Sequence, residues 1–175
     1  MIPELATERL ILRGWMREDF PAYAAFYGNA DFTRYIGGPC TPAQAWHGFC
    51  AMIGEWQLHG FGTLAIEVRA SGETAGYAGL WFPPDIDEPE LCWGLFEGYH
   101  GKGYATEAVR RVQVWAQQVL GMPALMSFVH PENFASRKVA ERLGAYCESE
   151  TELRGSPRLF MRHVLPLAEV ETVEV

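Results

Sequence analysis

Glu97-Gly98-Tyr99-His100-Gly101-Lys102-Gly103-Tyr104-Ala105-Thr106-Glu107-Ala108 lies between a strand-like run, Leu91 to Phe96, and an amphipathic helical pattern, Ala105 to Leu120. A strand that turns through glycines into a helix start aims several unpaired main-chain N–H groups at one spot. The helix dipole adds partial positive charge there, so the spot suits a phosphate. Gly101 and Gly103 lack a Cβ, which frees their backbone angles and lets an anion come close to the main chain. The stretch reads as a diphosphate cradle.

Two familiar cradles do not match it. A Walker A loop needs Lys followed by Ser or Thr, but Lys102 is followed by Gly103. A dinucleotide fingerprint needs a third glycine where Thr106 stands, and an acidic residue about 20 positions further on; the region of Pro123 to Met126 supplies none. A glycine pair before a helix is also an ordinary structural turn, so the rest of the chain must decide.

With 175 residues, 49% of them hydrophobic, the chain reads as one domain over 1–175 with one sizeable core. Its net charge of −8 argues against broad nucleic-acid binding, which relies on neutralising phosphates, and suits a cationic small molecule or a basic peptide end. No basic, then apolar, leader opens the chain, and no apolar run reaches the roughly 18 residues of a membrane span. Cys40, Cys50, Cys92 and Cys147 are far apart in sequence, form no C-x-x-C pair, and read as reduced thiols rather than zinc ligands. A cytoplasmic protein with no metal, membrane or nucleic-acid partner is expected.

Along the chain, Arg9 to Arg13 reads as a strand, and Asp19 to Tyr27 as a helix stopped by Gly28. A short helix, Asp31 to Ile36, precedes Gly37-Gly38-Pro39. Thr41-Pro42-Ala43-Gln44 combines an N-cap, a first-turn proline and a capping-box glutamine, opening a helix that runs to Gly60. Phe61 to Val68 and Ala75 to Phe82 read as a hairpin, followed by an acidic loop (Asp85, Asp87, Glu88) and a strand from Glu90 to Phe96. After the helix closed by Gly121 come a strand (Leu125 to Val129), a helix (Asn133 to Leu143) and two strands (Ala145 to Glu150, Arg158 to Leu165). Residues 167–175 read as a frayed acidic tail. The order is β-α-α-β-β-β-α-β-α-β-β, an α/β (α+β) domain.

That order, with its motifs, resembles the GNAT superfamily of acyl-coenzyme-A N-acetyltransferases, most of all the RimJ/RimL-type branch that acetylates ribosomal-protein N-termini. The likeness rests on Thr7-Glu8-Arg9-Leu10-Ile11-Leu12-Arg13, on Tyr35-Ile36-Gly37-Gly38 with the capped helix after it, on His100 to Ala108, and on Pro131-Glu132-Asn133-Phe134-Ala135-Ser136 through Gly144. It spans about residues 7 to 165 and implies a mixed, mostly antiparallel sheet of about seven strands. In that fold the fourth and fifth strands splay apart; here they are Glu90 to Phe96 and Leu125 to Val129. Two departures stand out. His100 takes the place of the loop pattern's Gln or Arg, and Ala140 takes the place where many members carry a tyrosine that protonates the leaving thiolate.

The resemblance implies acetyl-coenzyme A as acyl donor and direct attack by a primary amine, from a small molecule or a protein N-terminus. Its diphosphate is assigned to His100, Gly101, Lys102, Gly103, Tyr104, Ala105 and Thr106. Its peptide-like arm is assigned to the main chain of Trp93, Gly94 and Leu95, with a main-chain N–H near Leu95 facing the thioester oxygen. A glycine inside a strand, Gly94, suggests a bulge or a close approach. Asn133 is an N-cap, a ligand of the arm, or both; Ser136 caps, bonds the donor or protonates the thiolate. His130 and Glu90 are candidate bases, since the attacking amine has to shed a proton. No protein nucleophile is needed, so Cys92 reads as a packed thiol.

Trp46, Trp56, Tyr35, Phe32 and Trp81 line an acceptor pocket or belong to the core, and the acidic loop attracts a cationic acceptor or is merely solvated. A non-catalytic acyl-coenzyme-A-binding module is the alternative that Ala140 keeps open. Homodimers are common in such families.

Overall fold

The structure, a computed structural model, describes residues 1–164; the expected acidic tail and Leu165 lie outside the described residues. Eight strands form one sheet in the order β1-β2-β3-β4-β5-β6-β8-β7. They are β1 (Leu5–Ala6), β2 (Leu10–Arg13), β3 (Thr63–Val68), β4 (Thr74–Trp81), β5 (Glu90–Leu95), β6 (Ala124–Val129), β7 (Ala145–Leu153) and β8 (Ser156–Val164). Every neighbouring pair is antiparallel except β5 and β6. The eighth strand, beyond the seven expected, is β1. At two residues it is too short for any alternation to show, and its pairing with β2 defines it.

The helices are α1 (Phe20–Gly28), α2 (Ala30–Thr33), α3 (Pro42–His59), α4 (Tyr104–Leu120) and α5 (Phe134–Arg142). Alternation along the strands divides the core between the two sheet faces. On β4, Ala78 and Leu80 pack with Ala108, Val109, Val112 and Trp115 of α4, while Tyr77 packs with Phe26 of α1 and Phe49 of α3. Each fully buried Val or Leu on such a face contributes roughly 1.5–3 kcal/mol. The inward side of α4 follows the expected spacing except in the last turn, where Val119 is exposed. At the start of α3, Thr41 Oγ1 accepts from the Gln44 N–H and Gln44 Oε1 accepts from the Thr41 N–H, the expected reciprocal cap.

β7 and β8 run further toward each other than expected and meet at a two-residue turn, Arg154-Gly155, where both residues have positive φ. β7 is an edge strand exposed along most of its length, so it lacks the apolar alternation that reveals a half-buried strand. The hairpin tip reaches back over β5. No described helix is long and apolar enough to cross a membrane.

Candidate active site

β5 leads straight into the glycine loop and α4, as expected. Gly101 (φ 75°) and Gly103 (φ 81°) are both left-handed, a conformation costly to side-chain-bearing residues. A Cβ built on Gly101 would meet open space, so the main chain there is approachable from outside. Helix α4 has no side-chain cap, and the Glu107 N–H donates to the Gly103 carbonyl. Among the described residues no side chain accepts from the N–H groups at this helix start. Such a cluster of free donors at a helix start suits a diphosphate.

Arg9, just before β2, braces this loop. Its Nη1 donates to the Lys102 carbonyl (2.9 Å), and its Nε (2.7 Å) and Nη2 (2.6 Å) grip Glu107 in the first turn of α4. The motif on β2 and the loop motif therefore meet in space. His100, in the departing position, remains exposed but ties the loop to the end of β5: Nε2 lies 2.7 Å from the Leu95 carbonyl and the ring edge meets Phe32.

The N–H of Phe96 donates to Ala75 on β4. Alternation in an antiparallel pair then turns the N–H and C=O groups of Leu91, Trp93 and Leu95 to the opposite edge, toward β6. β6 meets β5 at a single register pair, Glu90 with Met126, and otherwise pairs along its length with β8. The expected splay is therefore present, and it opens at Glu90. Its carboxylate takes the next β6 donor, Phe128 N–H, at 3.1 Å, where a main-chain acceptor would continue a ladder. Gly94 is not at a bulge, since the β4–β5 register runs unbroken. What approaches it closely is the ring of cross-strand Tyr77: a Cβ on Gly94 would lie 2.6 Å from that ring.

At the fork lies a cavity of about 500 Å³, walled by β5 and β6, roofed by α1 and α3, and bordered by the β7–β8 tip and the start of α5. Glu90, Trp93, His130, Asn133 and Ser136, dispersed in sequence, all line it. Burial pushes the Glu90 carboxyl up to about 7, outweighing the Phe128 N–H bond and the nearby Arg154 and Arg158 guanidiniums that favour its charge. A carboxylate poised near neutrality is suited to proton transfer. His130 is suited to donating instead. Its Nδ1 accepts from the Glu132 N–H (3.2 Å), so a neutral ring carries its proton on Nε2, and its face lies against Tyr35. Asn133 caps α5, with Oδ1 accepting from Ser136 N–H at 3.2 Å, which leaves its amide N–H₂ for another partner.

Of the aromatic residues considered for the acceptor pocket, Tyr35 and Trp81 line it. Trp56 belongs to the core, stacked near Trp115 and bonded to the Thr63 carbonyl. Trp46 is half-exposed against Phe20, and Phe32 packs on Phe26. Two of the three acids of the loop are already engaged, Asp85 with Arg154 at 2.7 Å and Glu88 with Arg162 at 2.7 Å, while Asp87 is exposed. No group of three or more His, Cys, Asp or Glu among the described residues is arranged to hold a metal.

Comparison with known proteins agrees with this geometry. The pattern of the Acetyltransferase (GNAT) domain matches residues 9–146. The chain belongs to the GNAT acetyltransferase family. An acetyltransferase of Agrobacterium tumefaciens is 36% identical to this GNAT chain and superposes with a TM-score of 0.84 over 92% of this chain and 94% of its own. The N-acetyltransferase p20 of Bacillus licheniformis is 28% identical over 79% of this chain and 80% of its own. RimL, a ribosomal L7/L12 alpha-N-protein acetyltransferase solved in complex with coenzyme A, shares the fold at 16% identity and a TM-score of 0.77, over 93% of this chain and 98% of its own.

Three features of the GNAT chain were not legible in its sequence. Ala140, in the place of the family tyrosine, is fully buried against Val129, Leu159 and Met161, so this position faces the core. Tyr27 and Tyr77 instead bring hydroxyls to the cavity, Tyr27 donating to Tyr77 at 3.0 Å, and burial raises both well above the ordinary phenol range. Burial likewise raises the Cys92 thiol, which contacts the Gly79 carbonyl and stays protonated.

The third feature is a buried row, Gln113–His163–Ser127. With the Gln113 amide N–H₂ directed at Nδ1 (3.1 Å), the ring proton sits on Nε2 and goes to Ser127 Oγ at 2.9 Å. Ser127 is thus an acceptor rather than an activated nucleophile. Burial lowers the His163 pKa to about 4. As pH falls through the ordinary imidazole value, the unfolded chain takes up a proton that the native chain refuses. Stability present above about pH 6.5 is then lost toward pH 4, on the order of 3 kcal/mol in all. NMR should show the His163 ring neutral down to pH 5; protonation near pH 6.5 would contradict the burial account.

Proposed function

We propose that the protein transfers an acetyl group from acetyl-coenzyme A to a primary amine. One observation carries this reading: β5 joins the uncapped α4 start to Glu90 by an open main-chain edge. The N–H groups of Gly101 to Thr106 would hold the diphosphate, and the β5 edge at Trp93 and Leu95, with the Asn133 amide, would hold the arm. When bound, the donor supplies an acetyl thioester, an activated acyl group.

Glu90 takes a proton from the acceptor ammonium, directly or through water, leaving the nitrogen lone pair free to attack. A main-chain N–H near Leu95 stabilises charge at the acyl oxygen. As the C–N bond forms and the C–S bond breaks, the nitrogen gives up a second proton to water. Ser136 or the His130 Nε2–H gives a hydrogen bond to the sulfur, which leaves as a thiolate and then takes up a proton to become the free thiol. Ala140 supplies no tyrosine acid at the family's place, and this reading gives the role to Ser136 or His130.

A thiol-release assay across an amine panel, with calorimetry of acetyl-coenzyme A and ATP, tests the reading. Acetyl-coenzyme A should bind and at least one amine should release thiol. Binding without release for every amine would favour the module that Ala140 also permits, and ATP binding without coenzyme A binding would defeat both.

A further inference from the structure

Three guanidiniums line the cavity, from Arg34 beyond α2 and from Arg154 and Arg158 on the β7–β8 hairpin, and Glu90 is the one carboxylate among its lining residues. Arg154 is neutralised by Asp85, and exposed Arg34 reaches Asp31 at 3.5 Å. Arg158 is half-buried and makes no ion pair among the described residues. Both of its hydrogen bonds run from Nη1, to Ser156 Oγ at 2.6 Å and to the Pro157 carbonyl at 2.9 Å. That leaves Nε and Nη2, the edge with which an arginine grips a carboxylate side-on. Burial disfavours its charge, and Glu90 offsets this only in part.

We propose that the acceptor is a small molecule carrying both a primary amine and a carboxylate, its ammonium at Glu90 and its carboxylate on Arg158. This rests on the acetyl-transfer reading above. A partly desolvated guanidinium without a counterion lacks an anion that such a ligand supplies. A polyamine would bring further positive charge beside the unpaired Arg158 guanidinium, where like charges repel. The inference reverses the expectation drawn from net charge. Apart from Glu90, no acid is among the lining residues, and Asp85 and Glu88 of the nearby loop are held by Arg154 and Arg162.

The test uses the intact chain with acetyl-coenzyme A and reads thiol release from matched acceptors: amino acids, their carboxamides, their decarboxylated amines, and spermidine. The amino acid should show kcat/KM at least tenfold above its decarboxylated amine, mostly through KM. Arg158→Gln should lower kcat/KM at least tenfold more for the amino acid than for that amine, and Arg158→Lys should recover part of the difference. Calorimetry with acetyl-coenzyme A shows that each variant is folded; the comparison on the unaltered chain stands even if one is not. Equal or better use of the decarboxylated amine or spermidine, or equal losses for both acceptors in Arg158→Gln, overturns the inference alone. Failure of every acceptor to release thiol above the acceptor-free background overturns it together with the transfer reading.

Discussion

Replacing Glu90 with Gln should lower kcat by roughly 10²- to 10⁴-fold, the range that a positioned general base contributes. Its carbonyl oxygen can still accept from Phe128 N–H, so the fork between β5 and β6 should persist and the fold should be retained. Acetyl-coenzyme A affinity, which depends on the loop and the β5 edge, should hardly change. The pH profile supplies a second readout. Burial raises the Glu90 pKa to about 7, so the proton-accepting form is scarce below that value and dominant above it. In the unaltered enzyme kcat/KM should therefore climb through about pH 7 to a plateau, and Glu90→Gln should lose that limb. A variant with near-normal kcat, or an unchanged limb, would move the proton-accepting role elsewhere in the cavity.

Replacing Gly103 with Val should weaken acetyl-coenzyme A binding with little effect on the chemistry at Glu90. Two costs combine. A β-branched residue is strained at φ 81°, by about 1–3 kcal/mol for a backbone held in such a region. Its Cβ would also lie 3.3 Å from Arg9 Nη2, in the guanidinium that ties the Lys102 carbonyl to Glu107. If the loop escapes this strain by moving, its N–H groups no longer converge, and the loss corresponds to roughly 5- to 150-fold in Kd. Gly103→Ala should fall between the two. Calorimetry measures this directly, and an unchanged Kd would contradict the placement of the diphosphate.

The elements that place the site were legible because local chemistry specifies them. The glycine loop, the apolar side of α4, the reciprocal cap at Thr41 and Gln44, and the Asn133 cap each rest on residues close together in the chain. What was missed depends on contacts between distant residues. Glu90 became the wedge of the fork only when Phe128, from another strand, turned its N–H to it. The cavity lining combines Arg34, Arg154 and Arg158, and no window of sequence contains all three. Net charge could not reveal this, since it sums the whole surface, whereas a cavity responds to the few groups that face it. Gly94 was singled out correctly as a place of close approach, but the approaching group is Tyr77 of the same sheet.

The most direct measurement is a crystal structure of this chain grown with acetyl-coenzyme A. The diphosphate should lie within hydrogen-bonding distance of N–H groups between Gly101 and Thr106, with the arm against the free edge of β5 at Trp93 and Leu95. A donor molecule bound away from the start of α4, with those N–H groups left unengaged, would contradict the account.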